Sequence, residues 1–134
     1  MVKRTLILLT LIAAGSTWAA RPDAVTTLQK NWEKDAQTLP FSAERGSRIW
    51  HQDGTNQNGQ IRRCTTCHGE DLTQPGKHAR SGKVIEPMAL SANPERYQDA
   101  KKLRKWLKRN CKWTFGMECT AQEKGDILEF LTQQ

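Results

Sequence analysis

Cys64-Thr65-Thr66-Cys67-His68 is the stretch that most limits what this chain can become. It sets two thiols about one helical turn apart, with an imidazole directly after the second. Three chemistries use such a group: a thioredoxin-like redox pair, half of a zinc site, and covalent attachment of a c-type haem. A redox pair belongs after a strand in a βαβ unit, and the sequence has no such unit. A zinc site needs a second ligand pair at short spacing, which Cys111 and Cys119 do not offer. Attachment fits better. Cys64 and Cys67 can add to the two vinyl groups on one porphyrin edge, and His68 is then carried under the iron as its proximal ligand. One covalently bound c-type haem is the cofactor the pattern implies.

A cofactor also answers a shortage. Of 134 residues only 37% are hydrophobic and 7% aromatic, and the mean hydropathy is −0.74. That balance excludes a multi-span membrane protein and suits one small domain. So thin a core calls for a staple: a disulfide, a metal or a bound cofactor.

The first residues stand apart from the rest. Lys3 and Arg4 precede an apolar run from Leu6 to Ala14, and Thr17-Trp18-Ala19 supplies small residues for cleavage. Residues 1–19 are therefore expected to be a secretory signal, cleaved after Ala19; an uncleaved membrane anchor is the alternative. Export places the protein in the periplasm, an oxidising compartment where spare cysteines should pair, and leaves it outside the class of integral membrane proteins. Residues 20–40 then form an N-terminal helical extension, and residues 41–134 the domain that carries the motif.

Where a periodicity is visible, it is helical. Val25, Leu28, Trp32 and Ala36 recur at three- and four-residue steps, which predicts a helix over 22–36 that ends before Pro40. Ser42 is a good N-cap for a second helix through Gly46, Ile49 and Trp50. His51 to Gln60 has Asp53-Gly54 and Asn58-Gly59 and reads as a loop. A long irregular segment follows the motif as far as Ser91, and such a segment is usually wrapped around something functional. Leu103, Trp106 and Leu107 mark a helix over 99–109, and Thr120-Ala121-Gln122-Glu123 is a capping box that opens the last helix. No strand pattern is visible, so the expected class is all-α with long loops.

This order of parts resembles the monohaem class I cytochrome c fold, long loops wrapped around a covalently bound haem. In that family the first and last helices cross with a small residue against an aromatic one, and Gly46 and Phe130 are the matching residues here. Gly46 as a simple bend and Phe130 as ordinary core remain an alternative.

The sixth position on the iron decides what such a protein can do. Met88, after Pro87, is the first candidate, since methionine ligation raises the potential and blocks small ligands. Met117 is a second, and His51 or His78 could give two histidine ligands. Each has a plainer reading: packing for Met88, solvated surface for the histidines.

A more specific resemblance competes with Met88. Arg109-Asn110-Cys111, then Cys119-Thr120 and a last helix containing Glu123-Lys124-Gly125-Asp126, are similar to the SHP-type cytochromes c, small monohaem proteins that bind oxygen. The likeness continues in Ala43-Glu44-Arg45-Gly46, Cys64-Thr65-Thr66-Cys67-His68-Gly69, Ser91-Ala92-Asn93-Pro94 and Lys105-Trp106-Leu107, and so spans nearly the whole exported chain. It implies that Asn110 binds ferric iron on the distal side, that Cys111 and Cys119 form a disulfide, and that Cys64, Cys67 and His68 hold the haem. A neutral amide oxygen is a hard, weak donor suited to Fe(III), so reduction should release it and open a place for O₂ or another diatomic. On the residues alone, a helix C-cap is the better explanation of Asn110, and only the family resemblance raises it above that.

Lys101, Lys102, Arg104, Lys105, Lys108 and Arg109 crowd one helix with almost no acids. That run is either a solvated face or a docking surface for an acidic redox partner. The formal charge of the whole chain is +7, but nucleic acid is an improbable ligand for an exported protein. No carboxylate pair, Ser/His/Asp group or phosphate loop points to hydrolase or kinase chemistry. The expected function is that of a periplasmic high-spin cytochrome c that takes electrons from a partner cytochrome and binds O₂ at ferrous haem. The resemblance implies a dihaem cytochrome c or membrane cytochrome b as that partner. A His68/Met88-ligated electron carrier is one alternative, and an enzyme reducing O₂, NO or peroxide is another.

Overall fold

Helix α1 (Asp23–Ala36) forms because Pro22 presets an extended entry, Asp23 favours the first turn, and Val25, Leu28, Gln29 and Trp32 line one buried stripe. The computed structural model describes residues 20–134, so the expected signal segment 1–19 lies outside the described residues. Helix α2 (Ala43–His51) is capped by Ser42, whose hydroxyl accepts from the Arg45 amide at 3.3 Å. The motif itself is the short helix α3 (Thr65–His68). Helix α4 (Ala100–Phe115) starts on Asp99, which accepts from the Lys102 amide at 2.9 Å. Helix α5 (Ala121–Leu131) opens with the expected Thr120/Glu123 capping box.

Two expectations need correction. The chain is mostly helical but not purely so: β1 (Gly54–Thr55) pairs antiparallel with β2 (Ile61–Arg62), and β3 (Gly76–Lys77) with β4 (Val84–Ile85). Ladders of two residues are too short to show alternation in a sequence. The first is closed by Asn56, whose side-chain oxygen accepts from the amides of Asn58 and Gln60 at 2.9 and 3.0 Å. The second correction is that α4 does not end near Arg109. Nothing between Arg109 and Phe115 breaks it, Cys111 and Thr114 extend its buried stripe, and Gly116 stops it with φ of 74°.

The centre of the fold is the crossing of α2 on α5. A Cβ added to Gly46 would lie 2.0 Å from the Asp126 carbonyl oxygen and 2.8 Å from the Phe130 Cβ, so only glycine allows this approach. The expected pairing of Gly46 with Phe130 is thus present. A reciprocal one was not foreseen: Gly125 sits under the Phe41 ring, with a Cβ position 2.0 Å from it. Asp126, 1% exposed, is satisfied at the same crossing. It accepts from Arg45 Nε, Arg45 Nη2 and the Ser42 amide, each at 2.8 Å. Helix α1 is fastened to α5 by Arg21, which donates to Glu129 at 2.6 Å, and by Gln29, which donates to the Gly125 carbonyl at 3.2 Å. Among the described residues, no helix is long and apolar enough to cross a membrane.

Candidate functional site

Cys64 caps α3, and the His68 amide returns to the Cys64 carbonyl at 3.2 Å, so one turn presents both thiols and the imidazole together. Gly69, with φ of 74°, turns the chain away. The following loop then presses back on the motif. At Gly76 a Cβ would meet the Cys67 carbonyl oxygen at 2.3 Å, and the Ala79 amide lies 3.3 Å from Cys67 Sγ.

The motif forms one wall of a cavity of about 740 Å³. Its other walls come from the 78–98 segment, from α4 through Leu107, Asn110 and Thr114, and from α5 through Ile127, Leu128 and Leu131. Trp50 of α2 closes it beside His68, with ring centroids 5.2 Å apart. The volume is within the range of small-molecule sites; the surface it exposes is mainly apolar, and polar and charged side chains border it on the 78–98 segment and along α4.

Electrostatics in this cavity follow from burial. Burial, with a smaller contribution from Arg96, pushes the His68 imidazole down from 6.5 to about 4, so it is neutral near pH 7 and keeps a lone pair. Burial pushes the Cys64 thiol up to about 12. Cys64 and Cys67 are free of any disulfide, whereas Cys111 and Cys119 are joined, with Cα atoms 5.6 Å apart.

The candidates for the distal side separate by position. Met117 is 68% exposed and does not line the cavity, and neither does His51, whose Nε2 faces Glu70 at 3.4 Å. Met88, His78 and Asn110 do line it. Met88 is held by its backbone: its amide donates to the Leu72 carbonyl at 2.9 Å, and its carbonyl accepts from Tyr97 Oη at 2.7 Å. His78 Nδ1 accepts from the amides of Ser81 and Arg80 at 3.1 and 3.3 Å. Nδ1 is thereby engaged by its own loop. Asn110 lies inside α4, well before Gly116, which makes the C-cap explanation wrong. Its side chain has no hydrogen-bond partner among the described residues, and its neighbour Cys111 starts the disulfide.

Residues 36–131 match a family model described as "Domain of unknown function (DUF1924)". Over 99 residues the chain is 43% identical to the cytochrome c-type protein SHP of Cereibacter sphaeroides, covering 74% of this chain and 76% of that one. The chain belongs to the SHP family of c-type cytochromes.

The solved structure of oxidized SHP, described as an oxygen-binding cytochrome c, superposes with a TM-score of 0.74 at 39% identity, over 82% of this chain and 96% of that one. Cytochrome c″ of Methylophilus methylotrophus is more distant, 28% identical over 74 residues, or 55% of this chain and 51% of that protein. Its crystal structure superposes with a TM-score of 0.68 at 21% identity, over 81% and 93% of the two chains, which shows a shared fold. SHP-family membership implies a haem cofactor, and the residues present fit one: two unpaired thiols and a neutral imidazole in the wall of a large apolar cavity.

Sequence reasoning missed several residues of this site. Tyr97 is buried in the left-handed region at φ of 68°, a costly conformation for a bulky residue, and its hydroxyl fixes the Met88 carbonyl. Trp113 lines the cavity with the Arg62 guanidinium 3.8 Å from its ring centroid. Neither carried a signal, since one lies in an irregular segment and the other lies beyond the expected end of its helix.

Proposed function

We propose that this chain is an exported monohaem cytochrome c that accepts single electrons from a partner redox protein and binds a small diatomic ligand, O₂ or a relative of it. A c-type haem supplies a one-electron iron couple and, where one axial position can open, a binding place for such a ligand. The chain's own residues set how that chemistry is used. Cys64 and Cys67 would hold the porphyrin edge through thioether bonds, and the neutral His68 imidazole would supply a lone pair to the iron. Asn110 offers a hard amide oxygen from a helix that has no other use for it. Such a donor suits ferric iron better than ferrous, so with haem bound Asn110 would be the residue that admits or refuses a small ligand. Apolar side chains of α4 and α5 exclude water from the bound group.

The observation that carries this reading is the placement of Asn110 on the wall of the same cavity as Cys64, Cys67 and His68, directly before the disulfide. A second reading rests on Met88, buried on that wall with its backbone pinned from both sides. A methionine sulfur there would give an ordinary electron carrier closed to small ligands. Absorption spectra of the ferric and ferrous protein, with and without CO, separate the two. The proposal expects a ferric protein lacking the methionine-to-iron charge-transfer band and a high-spin ferrous protein that binds CO rapidly. A low-spin ferrous protein indifferent to CO would establish the Met88 reading.

A further inference from the structure

Helix α4 has two faces with different work. Inward, it supplies Leu107, Asn110 and Thr114 to the cavity. Outward, Lys101, Lys105, Lys108 and Lys112 recur at four-, three- and four-residue steps, which puts them in one exposed stripe about 16 Å long. Beside it runs a second stripe of Lys102, Trp106 and Arg109, which borders the cavity. Trp106 is 45% exposed, and the Arg109 guanidinium lies 5.1 Å from its ring centroid. The helix contains no acid from Ala100 to Phe115. Among the described residues, only Lys108 of the outer stripe has a carboxylate within reach, Glu118 at 3.7 Å.

Packing explains none of this. The buried stripe of α4 is Leu103, Cys111 and Thr114, so the lysines contribute nothing to the core. Seven like charges on sixteen residues repel one another, and their common field extends beyond the surface. A row of like charges with almost no acid beside it is an electrostatic target for an acidic surface. The same helix lies against the cavity, so a partner seated on it comes within one helix thickness of whatever the cavity holds.

We infer that the outer face of α4, the row Lys101, Lys105, Lys108 and Lys112, is the docking surface for a redox protein that presents a carboxylate-rich face. The inference rests on the haem reading above and names where the electron arrives. Docking there is an encounter steered by charge, so it governs the association rate and its salt dependence more than the strength of the complex.

The test uses the haem-loaded full-length mature protein and stopped-flow reduction by two donors: reduced flavodoxin, an acidic protein, and neutral lumiflavin semiquinone. The variant Lys101→Glu/Lys105→Glu alters the stripe without touching the cavity wall. Lys30→Glu/Lys34→Glu on α1 makes the same change in net charge elsewhere. The expected result at low ionic strength is about a tenfold loss of the flavodoxin rate for the α4 variant, with a flatter salt dependence. The α1 variant should lose less than about twofold, and lumiflavin rates should be equal in all three proteins. Equal losses in the two variants would overturn the docking site. Binding to anionic phosphatidylglycerol vesicles that the α4 variant loses, with flavodoxin rates unchanged, would assign the stripe to a membrane surface and overturn it too. Wild-type protein that lumiflavin fails to reduce would overturn the haem reading itself, and the docking surface with it.

Discussion

The α2–α5 crossing and the cavity side of the molecule are built on opposite terms. At the crossing the chain is sufficient to itself. Glycines bring the backbones together, Phe41 and Phe130 fill the space beside them, and the buried Asp126 carboxylate accepts four hydrogen bonds. On the cavity side a mainly apolar surface surrounds about 740 Å³, two thiols are unpaired, and His68 Nδ1 and Trp50 Nε1 are buried with no partner among the described residues. One region is a finished core. The other is a shell shaped for a group that the polypeptide does not supply.

The largest expected effect comes from removing that group. Cys64→Ala/Cys67→Ala should abolish covalent loading and leave the amides of residues 72–99 exchanging nearly freely, while those of α2 and α5 retain measurable protection. Hydrogen exchange by mass spectrometry reads this directly. Uniform loss of protection over the whole chain would break the distinction between the two regions.

Next in size are substitutions at the crossing. Gly46→Ala forces a methyl against the backbone at Asp126 and should cost about 3 kcal/mol, read by denaturant unfolding of the loaded protein. Gly125→Ala meets only the half-buried Phe41 ring, which can turn aside, and should cost about 1 kcal/mol. The reverse order would mean that Phe41, rather than the Gly46 contact, fixes the approach of the helices.

The disulfide joins the comparison from the cavity side. Cys111→Ser/Cys119→Ser should lose about 2.5 kcal/mol, the value expected for opening so short a loop. It should also speed cyanide and azide binding to the ferric protein, because Asn110 is next to Cys111. Lowered stability with unchanged anion kinetics would reduce the disulfide to a brace and separate it from the site.

The legible parts of the structure were those with a local cause. The capping box, Ser42, the α1 stripe and Gly46 against Phe130 each rest on residues a few positions apart or on one required glycine, and each is present. The motif was legible because its five residues carry the whole spacing of the chemistry. The end of α4 was not, because the buried stripe extends through Cys111 and Thr114, whose burial depends on tertiary packing. Tyr97 in the left-handed region, and the loop pressed over Cys67 at Gly76, answer to long-range contacts that no local pattern records. Asn110 was singled out through family resemblance, since its residue type alone also allowed a cap.

The smallest expected effect is a pH dependence at the crossing's outer edge. The Arg21 guanidinium, with Gln29 and Gln133, holds the Glu129 carboxyl below its ordinary 4.5. A carboxyl depressed by folding contributes stability that is complete above about pH 4.5 and is lost as pH falls through its folded value. Glu129 is partly exposed, so its share should be under about 1 kcal/mol. Thermal melts between pH 6 and 3 should fall less steeply for Glu129→Gln than for wild type. Parallel curves would place the acid sensitivity elsewhere.

The central claim is that Asn110, not Met88, governs access to the iron. The direct measurement is the ferric absorption spectrum of Asn110→Ala beside that of Met88→Leu, each compared with wild type. The account expects Asn110→Ala to shift the ferric bands and Met88→Leu to leave them almost unchanged. A spectrum that answers to Met88→Leu and ignores Asn110→Ala would contradict it.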